Sequence, residues 1–462
     1  MQLGDIFDDL TLDIATAVVE VTRVDIDSRE CQPGSLFFAL PGLETNGERF
    51  IADAVANGAV EVVTAAPVTS PVPVITVSEQ RLRATLGHAS AAVTGQPAQH
   101  LHLVGITGTN GKTTVATLVA DIARHIGWYG ASMGTLTNVR TTPAAPELWR
   151  SLQQFAQEAG GQRAVVALEV SSHALVQERV LGAHFDVVAF TNLSHDHLDY
   201  HGTMEEYFAA KSLLFTPTYG SRAVIWVDDP YGAQLAASTT IPVTTVARNN
   251  AEQLTQSLHG THFVWRGHAV TTPLIGDYNV DNVLVAMSIV SALGADDAAI
   301  AAAMTHVSPV PGRFEVVSSD GPVVIVDYAH TPDGLERLLR AIRQLHTGRI
   351  ITVVGCGGDR DRAKRPVMGR VGADLSDVCI VTSDNPRHED PEQIIDEIVA
   401  ELSPDRYVRV VDRRAAIAQA IGVAQPSDVV LIAGKGHEVT QTIGDLVLPF
   451  DDRAVAREML VH

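Results

Sequence analysis

At 462 residues the chain is too long for one compact core; at roughly 100–200 residues per domain it has room for about two to four, and three are expected. Hydrophobic residues make up 46% and charged residues 19%, which excludes global disorder and a fibrous repeat. With 33 basic against 54 acidic side chains the net charge is −21, so nonspecific binding to nucleic acid or to an anionic membrane surface is disfavoured and any anionic ligand needs a local site. Met1 leads into Gly4-Asp5-Ile6-Phe7-Asp8-Asp9 with no basic segment before an apolar one, and no run of about 18 apolar residues occurs anywhere. A cytoplasmic protein without membrane insertion, acting as a monomer, is the expectation. Cys31, Cys356 and Cys379 are scattered without CxxC spacing and read as core thiols in a reducing compartment.

Three blocks follow one another. Residues 1–98 mix short β-rich runs such as Leu36-Phe37-Phe38-Ala39-Leu40 with Ala-rich helical stretches and end in Thr94-Gly95-Gln96-Pro97. Residues 99–310 open with a strand-like run, Leu101 to Ile106, a Gly-rich turn, and a helical segment from Thr113 to about His125. Further strands are expected at 164–168, 187–190 and 223–227, alternating with helices as a parallel sheet requires. Beyond Val310-Pro311-Gly312, residues 311–462 carry four apolar runs, at 323–326, 350–354, 378–381 and 429–432, separated by helical stretches. The fold class is α/β throughout, with a small N-terminal domain, a central P-loop ATPase-like domain and a C-terminal Rossmann-like domain.

The strongest chemical signal is Gly105-Ile106-Thr107-Gly108-Thr109-Asn110-Gly111-Lys112-Thr113-Thr114. Glycines let backbone N–H groups approach phosphate oxygens, Lys112 neutralises charge and Thr113 can bind Mg²⁺. The strict pattern places a glycine where this chain has Ile106, so the loop is a variant. Downstream, His195, His197 and His201 with Asp196 and Asp199 are spaced as a zinc site could be. The phosphate loop favours Mg²⁺ instead, with Glu169 at the end of an apolar strand completing an oxygen shell. His195 and His201 are read as capping a turn. Lys211, on its own, is a solvated helix lysine.

The segment Gly-Thr-Asn-Gly-Lys-Thr resembles the loop of the Mur ligases and of the related folylpolyglutamate synthetases. Longer matches favour the Mur ligases: Glu169 through Arg179, Asn192 through Gly202, and Asp384-Asn385-Pro386-Arg387. The resemblance extends from Asp27-Ser28-Arg29 to Phe450-Asp451-Asp452-Arg453, nearly the whole chain. It implies an ATP-dependent, Mg²⁺-requiring ligase that forms an amide through an acyl phosphate, with UDP-N-acetylmuramoyl-L-alanyl-D-glutamate and meso-diaminopimelate as substrates. By the same resemblance residues 1–98 bind the uridine nucleotide, 99–310 bind ATP and 311–462 bind the amino acid.

The resemblance also implies the residue roles. ATP falls to Gly108, Thr109, Asn110, Gly111, Lys112, Thr113 and Thr114, to Asn279 near the adenine, and to Arg313 and His330 reaching in from the third domain. Such a split site implies domain closure. The metal falls to Thr113, Glu169, His197 and a carbamylated Lys211; Lys112, Lys211, Glu169 and His197 make up the catalytic set. Ser28 and Arg29 correspond to uridine-diphosphate contacts, and Thr141, Thr142, Ser171, Gln177 and Arg179 to the muramoyl-dipeptide. Arg360, Asp384, Asn385, Pro386, Arg387, Gly434 and Glu438 correspond to the diaminopimelate site. There Arg387 can hold a distal carboxylate with two parallel hydrogen bonds, whereas the ammonium of L-lysine would be repelled. After Glu438 the chain reads Val439-Thr440-Gln441 where the family pattern has Asp-Tyr-Gln. An L-lysine-adding ligase, a folylpolyglutamate-synthetase-like ligase and a noncatalytic ATP-binding regulator are the alternatives.

Overall fold

The computed structural model describes residues 1–7, 14–42, 46–137, 140–257, 260–318 and 321–460; Asp8 and Asp9 of the acidic opening segment lie outside them. Three parallel or mostly parallel sheets succeed one another along the chain. The first has four strands in sequential order, Arg23–Asp25, Ser35–Ala39, Ala59–Thr64 and Val74–Thr76. The helix Glu79–Val93 packs Leu82, Leu86 and Ala89 into its core.

The central sheet has six parallel strands in the spatial order Val243–Val246, Ala223–Trp226, Val187–Phe190, His102–Thr107, Ala164–Glu169 and Tyr129–Met133. Its four inner strands are buried on both faces, as expected when helices cover a parallel sheet. Alternation of side chains sends Leu103 into the core shared with the first sheet and Val104 and Ile106 into the core on the other face. There the helix Lys112–His125 presents Val115, Leu118, Val119 and Ile122, a stripe at helical spacing, to the largely buried helix Asp277–Ala292.

The third sheet runs Glu315–Ser318, Val323–Asp327, Val429–Ala433, Ile350–Val354, Val378–Val381, Val408–Arg409, with only its first pair antiparallel. Every apolar run expected from the sequence forms a strand within a residue or two of its expected ends. Several elements were not foreseen: the edge strands Tyr129–Met133 and Val243–Val246, the antiparallel trio Glu252–Ser257, Gly260–Trp265, His268–Thr272, and the hairpin Thr440–Ile443 with Leu446–Pro449. Among the described residues no helix is long and apolar enough to cross a membrane.

Parallel strands end together, so the loops after His102–Thr107, Ala164–Glu169 and Val187–Phe190 share one edge, the place where open α/β sheets bind ligands. Ile106 pairs with Glu169 and Thr107 with Phe190, which sets the phosphate loop between the Glu169 carboxylate and the 191–194 segment.

Candidate active site at the junction of the second and third sheets

The phosphate loop is braced from both sides. Thr109 N–H donates to the Asn192 carbonyl (2.8 Å), Asn110 N–H to Asn192 Oδ1 (3.0 Å), and Thr191 Oγ1 to the Asn110 carbonyl (2.6 Å). Lys112 folds back over the loop and donates to the Gly108 and Thr109 carbonyls, each at 2.9 Å. Burial lowers its ammonium pKa while Glu169 and Asp196 oppose that shift. Gly108 has φ 149°, and a Cβ there would collide with the Thr191 hydroxyl. Gly108→Ala is therefore expected to weaken ATP binding by at least about tenfold through displacement of the loop; equilibrium titration with a fluorescent nucleotide checks this, and wild-type affinity would show that the loop tolerates the collision.

Glu169 is buried, and its carboxylate accepts from Thr113 Oγ1 (3.0 Å), Thr135 N–H (2.9 Å) and Thr135 Oγ1 (3.3 Å). These partners are neutral hydroxyl and amide groups, and the Glu169 carboxylate with the Thr113 and Thr135 hydroxyls makes a set of hard oxygen atoms that suits Mg²⁺. His197 lines the same cavity, with Nε2 3.4 Å from Asp196 Oδ2. Burial opposes ionisation of Asp196, but His197, His330 and Lys364 outweigh it and hold the carboxyl below its usual range. The three histidines do not converge as a zinc site would require: His195 is exposed, and His201 is buried with Nε2 2.8 Å from Ser172 Oγ. His201 thus packs inside rather than capping a turn.

Lys211 corrects the reading of a solvated helix lysine. It is 1% exposed, its Nζ donates to the Gly108 carbonyl (2.9 Å), and it lies 4.6 Å from the centre of the Tyr207 ring. Burial, with Lys112 nearby, lowers its pKa well below the ordinary lysine value. As an unmodified amine turned toward the loop backbone it is not placed as a metal ligand.

Two cavities meet at the loop. One, of about 390 Å³, is lined by Thr109 to Thr113, Thr141, Glu169 and His197 from the second block and by Arg313, His330, Arg360, Asp384, Asn385, Arg387, Gly434 and Glu438 from the third. The other, of about 420 Å³, is lined by Asn110, Gly111, Thr114, Trp226, Tyr278, Asp281, Asn282, Arg313, His330 and Arg337. Arg313 belongs to both; its Nη2 is 3.3 Å from Thr113 Oγ1 and its guanidinium lies 4.4 Å from the Tyr328 ring centre. Asn279 lines neither of them but a third cavity of about 380 Å³ beside Arg313, its Nδ2 donating to the Ile275 carbonyl (2.8 Å); Asn282, one helical turn on, lines the 420 Å³ cavity.

The segment carrying Arg313 is tied to the 434–438 loop by two glycines set back to back. A Cβ on Gly312 would strike the backbone of Gly436 and His437, and one on Gly436 would meet the Gly312 carbonyl at 2.7 Å.

Thr142, Ser171, Gln177 and Arg179 form a network of their own beside Glu169. Ser171 N–H donates to Thr142 Oγ1 (3.0 Å), Arg179 Nη1 to the Thr142 carbonyl (3.0 Å) and Arg179 Nη2 to Gln177 Oε1 (2.6 Å). Ser28 is buried at the start of a one-turn 3₁₀ helix, while the exposed Arg29 forks onto Asp27. Neither residue of that pair lines the two cavities. Pro386 lies between cavity-lining Asn385 and Arg387 without lining the cavity itself.

Comparison with known proteins agrees with this geometry. The Mur ligase middle domain matches residues 106–290, the Mur ligase glutamate ligase domain 312–436, and the Mur ligase family catalytic domain 20–94. The UDP-N-acetylmuramoyl-L-alanyl-D-glutamate–2,6-diaminopimelate ligase of Geobacillus kaustophilus is 45% identical over 95% of this chain and 94% of its own. The protein of that name from Aquifex aeolicus is 41% identical, covering 98% of this chain and 96% of its own. The chain belongs to the Mur ligase family.

A solved structure of a ligase of that same name superposes with a TM-score of 0.70 at 31% identity, covering 100% of this chain and 99% of the other. A MurF ligase from Thermotoga maritima in complex with ADP shares the fold at 18% identity, with a TM-score of 0.66 and 96% coverage of each chain. Within this Mur ligase several cavity residues escaped the sequence reading. Asn282 carried a usable signal, a second polar residue one turn after Asn279 on an apolar helix. Lys364, which donates to the His330 carbonyl (3.0 Å), and Thr135 carried none.

Two histidines, the buried His201 and the half-buried His437, are expected to give the Mur ligase a pH-dependent stability. Burial above all, with nearby positive groups, pushes the imidazoles of His201 and His437 each down to about 4 from an ordinary 6.5. Both are neutral in the folded protein, so their contribution is complete above about 6.5 and is lost as pH falls toward about 4. The unfolding temperature is expected to fall between about pH 7 and pH 5, and less steeply in His201→Gln. Scanning calorimetry across that range checks this; equal slopes would remove His201 from the explanation.

Proposed function

We propose that the chain is an ATP-dependent ligase that joins meso-diaminopimelate to the D-glutamyl γ-carboxylate of UDP-N-acetylmuramoyl-L-alanyl-D-glutamate, a step of peptidoglycan precursor synthesis. The observation that carries this reading is the composition of the 390 Å³ cavity. It joins the phosphate loop with Lys112 to a pocket bearing two guanidinium groups, Arg360 and Arg387, and two carboxylates, Asp384 and Glu438. That pairing suits an amino acid with more than one carboxylate and an ammonium. The relatives that share 41–45% of its residues carry the name of this activity.

ATP takes the loop from Gly108 to Thr114, its nucleoside lying against Asn282 and Tyr278 with Asn279 bracing Asn282 from behind, while Arg313 and His330 face the phosphates. Lys112 balances charge as the γ-phosphoryl group passes to the carboxylate oxygen, releasing ADP and forming an acyl phosphate. The uncharged amine of the amino acid attacks the acyl carbon, phosphate leaves with the electron pair of the broken C–O bond, and the nitrogen loses its proton. The work is positioning and charge balance, with no enzyme nucleophile. Thr113, Glu169 and His197 would hold Mg²⁺, whose contribution when bound is to neutralise phosphate charge. A carbamate on Lys211 would add a carboxylate beside them, and the uncharged amine that burial favours is the form able to react with carbon dioxide. Ser28 and Arg29 hold the uridine diphosphate, and Thr141, Thr142, Ser171, Gln177 and Arg179 the muramoyl-dipeptide.

The test is phosphate release from ATP with UDP-N-acetylmuramoyl-L-alanyl-D-glutamate, comparing meso-diaminopimelate with L-lysine. Release with diaminopimelate alone is expected. Release with lysine would favour the lysine-adding alternative, and release with neither would remove the substrate assignment.

A further inference from the structure

We infer that Lys435 is a positioning residue of the amino-acid pocket, which together with the Asn385 amide fixes the Glu438 carboxylate to receive the ammonium of the incoming amino acid; this rests on the ligase reading above. Lys435 is wholly buried and lines neither cavity, so it cannot touch the substrate itself. Its Nζ donates to Glu438 Oε2 (2.9 Å) and to Asn385 Oδ1 (3.1 Å). Asn385 Nδ2 in turn donates to the same Glu438 oxygen (2.8 Å), and Asn385 Oδ1 also accepts from Thr442 N–H (3.0 Å).

The consequences are directional. Glu438 Oε2 is held by two donors, whereas among the described residues Oε1 has none, and Glu438 lines the cavity. The amide of Asn385 is oriented as well, with oxygen toward the ammonium and nitrogen toward the carboxylate. An ammonium is suited to this place because it offers several donors from one atom, and a buried charge is tolerated when paired and hydrogen-bonded. Chain geometry aims it: Lys435 follows directly on the buried strand Val429–Ala433 and Gly434, and Glu438 N–H closes the turn on the Lys435 carbonyl (2.9 Å). Remove the ammonium and Glu438 Oε2 loses one of the two donors that aim it, leaving only Asn385 Nδ2.

A merely structural lysine would hold the 434–438 loop and affect every substrate together. The variant that separates the two cases is Lys435→Met, which keeps length and removes charge. Its KM for diaminopimelate is expected to rise at least about tenfold, with the KM values for ATP and for the UDP-linked dipeptide within about twofold of the unaltered protein. Trapping of the acyl phosphate by hydroxylamine, which needs no amino acid, is expected to persist at the unaltered rate. An unchanged KM for diaminopimelate, or a parallel rise for all three substrates, overturns the assignment. Should Lys435→Met not fold, Lys435→Met combined with Glu438→Gln removes both charges; its diaminopimelate KM is expected to equal that of Glu438→Gln alone, and a further rise overturns the assignment. Failure of the unaltered protein to release phosphate with diaminopimelate would instead overturn the ligase reading.

Discussion

Lys112→Met is expected to lower ATP-dependent phosphate release by about a thousandfold, or roughly 4 kcal/mol in the barrier. Lys112 spans the mouth of the phosphate loop, anchored on two backbone carbonyls of that loop. Methionine preserves the length of the stem but brings no charge, so the loop keeps the fold that Thr191 and Asn192 brace while the transferring phosphoryl group loses a fixed cation of the loop. Glu169 and Asp196, whose fields Lys112 now offsets, then face the phosphates with less compensation. Steady-state phosphate release with saturating ATP measures the effect, and the unfolding temperature serves as the control for integrity. Activity within tenfold of the unaltered protein, with stability intact, would mean that Lys112 is a structural brace of the loop.

Arg387→Ala is expected to raise KM for diaminopimelate by about a hundredfold, corresponding to roughly 2–3 kcal/mol for charge-assisted hydrogen bonds lost to a carboxylate. Arg387 is held in a left-handed conformation (φ 50°) by its N–H donating to the Thr442 carbonyl (3.0 Å) and its own carbonyl accepting from Gly444 N–H (2.7 Å). Its Nη1 donates to the Gly358 carbonyl (2.6 Å), which sets the plane of the fork before any ligand arrives. Lysine in its place keeps the charge but loses the planar fork, so Arg387→Lys is expected to recover only part of the affinity. In Arg387→Ala the preference for diaminopimelate over L-lysine is also expected to narrow, because the group that repels an ammonium has gone. Competition between the two amino acids gives that ratio; an unchanged ratio would transfer the selectivity to Arg360.

The sheets were legible because a parallel strand covered on both faces must be a continuous apolar run, and stretches such as Ile350–Val354 have no other stable place to go. Tyr129–Met133 escaped because Gly130, Ala131 and Ser132 are small, and Glu252–Ser257 because its exposed face makes it read as polar. At the site, the phosphate loop was legible because its contacts are local in sequence. Asn279 and Asn282 show the limit: both lie on the helix that the motif opens, and which of them lines which cavity depends on how that helix is rotated in the fold. Lys364 beside His330, and Lys435 beneath Glu438 and Asn385, depend on how distant strands are brought together, which no spacing along the chain records.

The back-to-back glycines of the linker leave no slack between the two halves of the reaction. With Gly312 pressed against Gly436, the segment proposed to present Glu438 to the amino acid and the segment proposed to present Arg313 to the phosphates are two ends of one lever. Thermodynamic linkage then works in both directions: by whatever factor bound nucleotide strengthens the hold on the amino acid, bound amino acid must strengthen the hold on nucleotide. An inhibitor shaped for the amino-acid pocket would, for that reason, gain or lose potency with the nucleotide concentration around it.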